Sequence, residues 1–243
     1  MRHILCGLVL TAGLMSGQWQ LPISKADLNG PVPKTADGKP DLSGIWEQDT
    51  TKHFLNIMAD LKPEDYPYKP ETRALVASRA GGARAAEEPD AHCLPQGVPK
   101  INAAPVPFKI VQTPKLILLV YEAFTQWRQV HLDGRKLISE PNPTWLGWST
   151  GRWDGDTLVV ETRGLNGKYW MDIAGNPASE QMKVTEKFRR TSFGHLEIEI
   201  TLDDPALYTR PWKATEKLHL LPDTEVMEFV CLENEQDLKH LVK

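Results

Sequence analysis

The chain has 243 residues, of which 41% are hydrophobic and 25% charged, and its net charge is −4. Acidic and basic residues are interspersed, so there is no basic stripe to track a phosphate backbone, and nucleic acid is not an expected partner. The length suits one large β domain or two small ones, and one is expected.

The first residues read as an address. Arg2 and His3 precede an apolar run over residues 4–15, and the chain turns polar over 16–20, the layout of a cleaved signal peptide. The run is about a dozen residues, short of the roughly 20 needed to span a bilayer as a helix. No later segment comes closer, so no membrane span is expected after cleavage. Ser24 and Ala26 favour a cut after Ala26, with one near Gly17 as the competitor, and Cys6 lies on the wrong side of the apolar run for a lipoprotein. The destination is periplasmic or secreted. Loss of Cys6 leaves Cys93 and Cys231, and an even pair in an oxidising compartment implies one disulfide; two separate buried thiols are the alternative.

Residues 27–106 read as an extended lead-in, short helices and a long loop, packed on the β-rich remainder of the chain. Residues 29–40 are rich in Pro, Gly and Lys without periodicity. Apolar positions at helical spacing mark 54–61, and 71–80 suits a second short helix before Gly81-Gly82. The Ala-, Pro- and Gly-rich stretch 84–107 reads as a loop tied down by Cys93.

From residue 107 to the end the pattern is an antiparallel β meander. Runs at 108–112, 115–122 and 126–132 are broken by Thr113-Pro114 and residues 123–125, and Asp133-Gly134 is a hairpin signal. Runs at 146–153 and 157–162 flank Asp154-Gly155-Asp156. Those at 182–190, 196–202, 213–220 and 226–232 complete the set. In the 196–202 run Leu196, Ile198, Ile200 and Leu202 alternate with Glu197, Glu199 and Thr201, giving one buried and one wet face. Eight or nine strands leave edges to protect, so the expected fold is mainly β: an up-and-down barrel or strongly curled sheet, with one or two short helices before it.

Gly44-Ile45-Trp46 and Gly151-Arg152-Trp153 each carry Gly-x-Trp followed by an acidic residue. The pattern resembles the first-strand signature of lipocalin-type barrels, in which the Trp plugs the closed end; tryptophans packing an ordinary β core are the alternative. Residues 35–46 (TADGKPDLSGIW), 93–99 (CLPQGVP), 143–147 (PTWLG), 151–162 (GRWDGDTLVVET) and 204–212 (DPALYTRPW) together resemble a family of uncharacterised secreted bacterial proteins. The likeness spans nearly all of the mature chain and implies secretion but no activity. Members often have Pro-His-Ser where this chain has Pro177-Ala178-Ser179.

Several residues could carry chemistry. Gly147-Trp148-Ser149-Thr150-Gly151 matches Gly-x-Ser-x-Gly, but a strand and turn come next where a hydrolase needs a helix. No metal-ligand spacing stands out, and neither a metal nor an organic cofactor is expected. Glu186 shares a strand face with Met182, Val184 and Phe188, and Arg190 lies on the same face; the two charges are a structural pair or serve a ligand. Glu228 sits between Val226 and Val230. On the first hairpin Trp127, Gln129 and His131 share a face, with Tyr121 as a cross-strand neighbour; if that face is the lumen, His131 or Glu186 could move a proton. The loop over 164–177, with Asn166, Tyr169, Trp170 and Asp172, is either a lid over a ligand or a packed surface loop. Three functions remain: a barrel holding a small, partly apolar or aromatic molecule in its lumen; a cofactor-independent lyase, isomerase or cyclase using the same cavity; and a structural or interaction module. The oligomeric state is open.

Overall fold

The computed structural model describes residues 25–231 and 233, so the signal-peptide reading falls almost wholly outside the described residues. Nine strands form a closed barrel in chain order. They are β1 (Gly44–Gln48), β2 (Phe108–Gln112), β3 (Leu116–Tyr121), β4 (Gln126–His131), β5 (Trp148–Asp154), β6 (Thr157–Arg163), β7 (Lys183–Ser192), β8 (His195–Asp203) and β9 (Trp212–Leu220). β1 closes the ring by pairing antiparallel with both β2 and β9.

Three expectations need correction. First, the meander is not antiparallel throughout: β4 and β5 are parallel, joined by only two residue pairs, Val130 with Ser149 and His131 with Thr150. The Asp133-Gly134 turn therefore opens a long connection instead of a hairpin. Second, residues 226–230 form no strand. The edge of β9 is already taken by β1, with Trp46 opposite Leu220 and the Leu221 amide donating to the Ile45 carbonyl. A tenth strand has no edge to join, and Glu228 is exposed. Third, the lead-in supplies the closing strand, so residues 27–106 are part of the barrel and not merely packed on it.

Alternation sets the core. In β8 Leu196, Ile198, Ile200 and Leu202 are buried while Glu197, Glu199 and Thr201 are half-buried. Each such aliphatic burial stabilises by about 1.5–3 kcal/mol. At one end Trp46 is fully buried, donates from Nε1 to the Leu42 carbonyl at 3.0 Å, and carries the Arg190 guanidinium 5.0 Å above its ring. Gly44 has φ +144°, and a Cβ there would lie 2.5 Å from the Leu220 side chain, so glycine lets β1 close against β9.

Short helices cover the barrel: α1 (Lys52–Leu55), α2 (Pro70–Arg79) and α3 (Lys100–Ala103). The helix expected over 54–61 starts two residues earlier and stops at Leu55, because Asn56 is extended at φ −152°. α2 matches its expectation within a residue, with Pro70 preset for the first turn. Cys93 and Cys231 form the expected disulfide, with Cα atoms 5.6 Å apart. Among the described residues no helix is long and apolar enough to cross a membrane.

Candidate ligand-binding site

The sparse β4–β5 pairing leaves a seam in the barrel wall. Residues 144–146 do not continue beside β4. Instead Thr144 bridges to Leu165, its amide donating to the Gly164 carbonyl at 2.8 Å and its carbonyl accepting from the Asn166 amide. Gly147 turns the chain back at φ +65°, where a Cβ would come within 2.8 Å of the Arg163 carbonyl. The result is a cleft of about 530 Å³ over the seam, within the size range of small-molecule sites. Trp127, Ile138, Trp145 and Trp148 form its apolar walls, and His131, Arg135 and Lys136 supply polar groups. Three of these apolar side chains are strongly exposed: Trp127 at 63%, Ile138 at 55% and Trp148 at 43%.

Arg128 and Ser149 also line the cleft, although both are buried. Beneath it, Arg128 donates from Nε to Ser149 Oγ at 3.0 Å, from Nη2 to Thr162 Oγ1 at 2.7 Å, and from both Nη atoms to the Glu186 carboxylate, at 3.0 Å for Nη1. Burial opposes the charge on Arg128, but the Glu186 carboxylate outweighs it and the guanidinium pKa is raised. Glu186 Oε1 also accepts from Asn102 Nδ2 at 2.7 Å, and Asn102 Oδ1 accepts from the Tyr121 hydroxyl at 2.7 Å. Gln48 links this group to a second buried carboxyl, donating to the Asn102 carbonyl and to Glu216 Oε2 at 3.0 Å. Glu216 Oε1 is buried and has no hydrogen-bond partner among the described residues. Burial pushes the Glu216 pKa up to about 8 despite the Gln48 hydrogen bond. At the level of Glu186 the lumen is therefore filled by Asn102, Tyr121, Arg128 and Glu216.

This placement changes the sequence reading of the site. Glu186 is fully buried on the inner face, but its partner is Arg128 and not Arg190. Four residues along a strand span about 13 Å, too far for a pair on one strand. Arg190 instead donates to the Asp41 and Phe193 carbonyls at the barrel end. The face of Trp127, Gln129 and His131 points outward, because Val130 and Arg128 are the buried members of β4. Tyr121 lies inside, opposite Gln126, on the other side of the wall from Trp127.

The loop over 164–177 is packed, not a lid. The Tyr169 hydroxyl donates to the Val98 carbonyl at 2.7 Å, Trp170 is buried under the Arg79 guanidinium at 4.3 Å, and Asn166 accepts from the Lys168 amide. Asp172 is buried and accepts from the Ile57 amide at 2.7 Å and from both Asn176 nitrogens. Burial raises its pKa to about 6 against those hydrogen bonds. Ser149 sits within β5, bonded to Arg128 and Thr162, and not on a strand-to-helix turn.

Of the expected site residues, Trp127 and His131 line the seam cleft, as does Ser149 of the Gly-x-Ser-x-Gly match. Sequence reading missed Arg128, Asn102 and Glu216. Glu216 was legible, since it alternates with Trp212, Ala214, Leu218 and Leu220 just as Glu186 does with its neighbours. No protein-family model and no curated protein matches the chain.

Proposed function

We propose that this protein binds a small, partly apolar aromatic molecule in the β4–β5 seam cleft, outside the filled lumen. The observation that carries the reading is the set of exposed Trp127, Trp148 and Ile138 around an open concavity. A contiguous exposed apolar surface is costly unless something covers it. Aromatic walls supply stacking area, and Lys136 on the rim, without an ion-pair partner among the described residues, favours a ligand with an anionic end. Proton transfer by a buried carboxyl is disfavoured because Glu186 and Glu216 do not line the cleft and Arg128, which does, is committed to Glu186; of the two proton-transfer candidates only His131 stands on the cleft wall. The Cys93–Cys231 disulfide suits an oxidising compartment, in keeping with a secreted or periplasmic binding protein of the family the sequence resembles.

Saturation-transfer NMR with indole-3-acetate tests this. Binding should weaken at least fivefold in Trp127→Ala and in Trp148→Ala, neither of which touches the core. Unchanged binding in both variants, or no binding at millimolar probe, refutes the reading.

A further inference from the structure

We infer that the natural occupant of the seam cleft is an extended peptide that adds to β4 as a short strand. The inference rests on the reading of this cleft as a binding site and replaces the free small molecule by a peptide whose aromatic side chains meet the same walls. It comes from the backbone of β4 and not from its side chains.

The Leu132 amide donates to the Lys115 carbonyl at 2.8 Å, which fixes the parity of the antiparallel β3–β4 ladder. Hydrogen-bonded pairs recur every second residue, so Val130, Arg128 and Gln126 turn their N–H and C=O groups toward β3, opposite Ile117, Leu119 and Tyr121. Trp127, Gln129 and His131 then turn theirs toward β5. The parallel ladder there starts at Val130 with Ser149 and consumes the Gln129 carbonyl and the His131 amide. The Trp127 amide, the Trp127 carbonyl and the Gln129 amide are left facing the cleft: the β5 ladder has no pair before Val130, and no turn or loop backbone group among the described residues bonds to them. Residues 145–147, which would have supplied partners, run beside the end of β6 instead. The barrel wall thus keeps a short open edge on β4, and open edges are templates for strand addition.

The cleft suits that occupant. Gln126 to Gln129 cover about 10 Å, enough for three or four peptide residues. The outward side chains of an added strand would lie beside Trp127, Ile138 and Trp148. Its inward side chains would rest on Arg128 and Ser149, where the space favours small polar groups. Arg128 is neutralised by Glu186 and Arg135 by Asp133, whereas Lys136 has no ion-pair partner among the described residues. An acidic residue at one end of the peptide fits that charge. The segment is therefore an alternating one, large apolar or aromatic residues interleaved with small polar ones and flanked by Asp or Glu.

The test uses capped acetyl-Glu-Phe-Ser-Phe-Ser-amide and two twins, N-methylated at the Phe amides or at the Ser amides. N-methylation removes donors on one edge of the strand only. One twin should bind at least tenfold more weakly than the parent and the other within about twofold of it. On parent binding, exchange of the Trp127 and Gln129 amide protons should slow at least tenfold. If both twins bind like the parent, or indole-3-acetate binds in a Trp127-dependent way while the peptide does not, strand addition is wrong and the small-molecule reading stands. If neither probe binds, both fall.

Discussion

Glu216 offers the sharpest test of the barrel interior. Its carboxyl is fully buried, accepts one hydrogen bond from Gln48, and has a pKa raised from 4.5 to about 8. An acid whose folded-state pKa lies above its unfolded value holds its proton more tightly when folded. Its effect on stability is therefore most favourable below about pH 4.5 and is lost as the pH climbs through 4.5 toward 8. At 1.36 kcal/mol per unit, the full penalty is about 5 kcal/mol, and between pH 5 and pH 9 about 4 kcal/mol of it develops. Glu216→Gln keeps the shape and the Gln48 contact but cannot ionise. The unoccupied Oε1 position contributes the same offset at every pH, and Asp172, whose pKa is also raised, titrates in both proteins. Urea unfolding of the disulfide-intact parent and variant at pH 5, 7 and 9 should therefore show the difference moving in favour of the variant by about 4 kcal/mol across the window. A difference constant within about 1 kcal/mol would refute the reasoning, since it would place the carboxyl in water.

Removing one partner of the buried pair, as in Arg128→Met, should cost about 3–5 kcal/mol in denaturant unfolding, and adding Glu186→Leu should recover most of it; an uncoupled cycle would contradict the pairing. Ile198→Ala should cost about 2–5 kcal/mol while Glu197→Ala, which loses only an exposed bridge to Arg189, should cost less than about 1; equal losses would mean the β8 register is wrong. Replacing Cys93 and Cys231 by Ala opens a link between residues 138 apart in sequence, for which the chain-entropy model gives about 5 kcal/mol. It should also deprotect the Met227 amide, now bonded to Glu122, in hydrogen exchange.

Local alternation was enough to find most of the barrel. β2, β3, β6, β8 and β9 lie within about a residue of their expected spans, because a half-buried strand writes its period of two directly into the chain. The same logic placed Glu186 on an apolar face, and an even cysteine count, with Cys6 assigned to a leader, paired Cys93 with Cys231. Local alternation also marked residues 226–232 as a strand, since β-rich composition measures suitability for a sheet and not whether an edge is free.

What the sequence by itself determined, then, is a β-barrel composition and the inward faces of strands flanked by clear apolar neighbours. Only the tertiary structure decided which face of β4 is inside, because Trp127, Gln129 and His131 look as apolar or polar as Gln126, Arg128 and Val130, and a one-residue choice inverts the wall. It also decided that Glu186 meets Arg128, 58 positions away in sequence, and that the long connection from Asp133 returns β5 parallel to β4. Both depend on how many strands fit around the ring before β1 closes it on β9. That closure is a global condition on spacing and register, which no local run of residues encodes, and it leaves the wall sparsely paired at the β4–β5 seam.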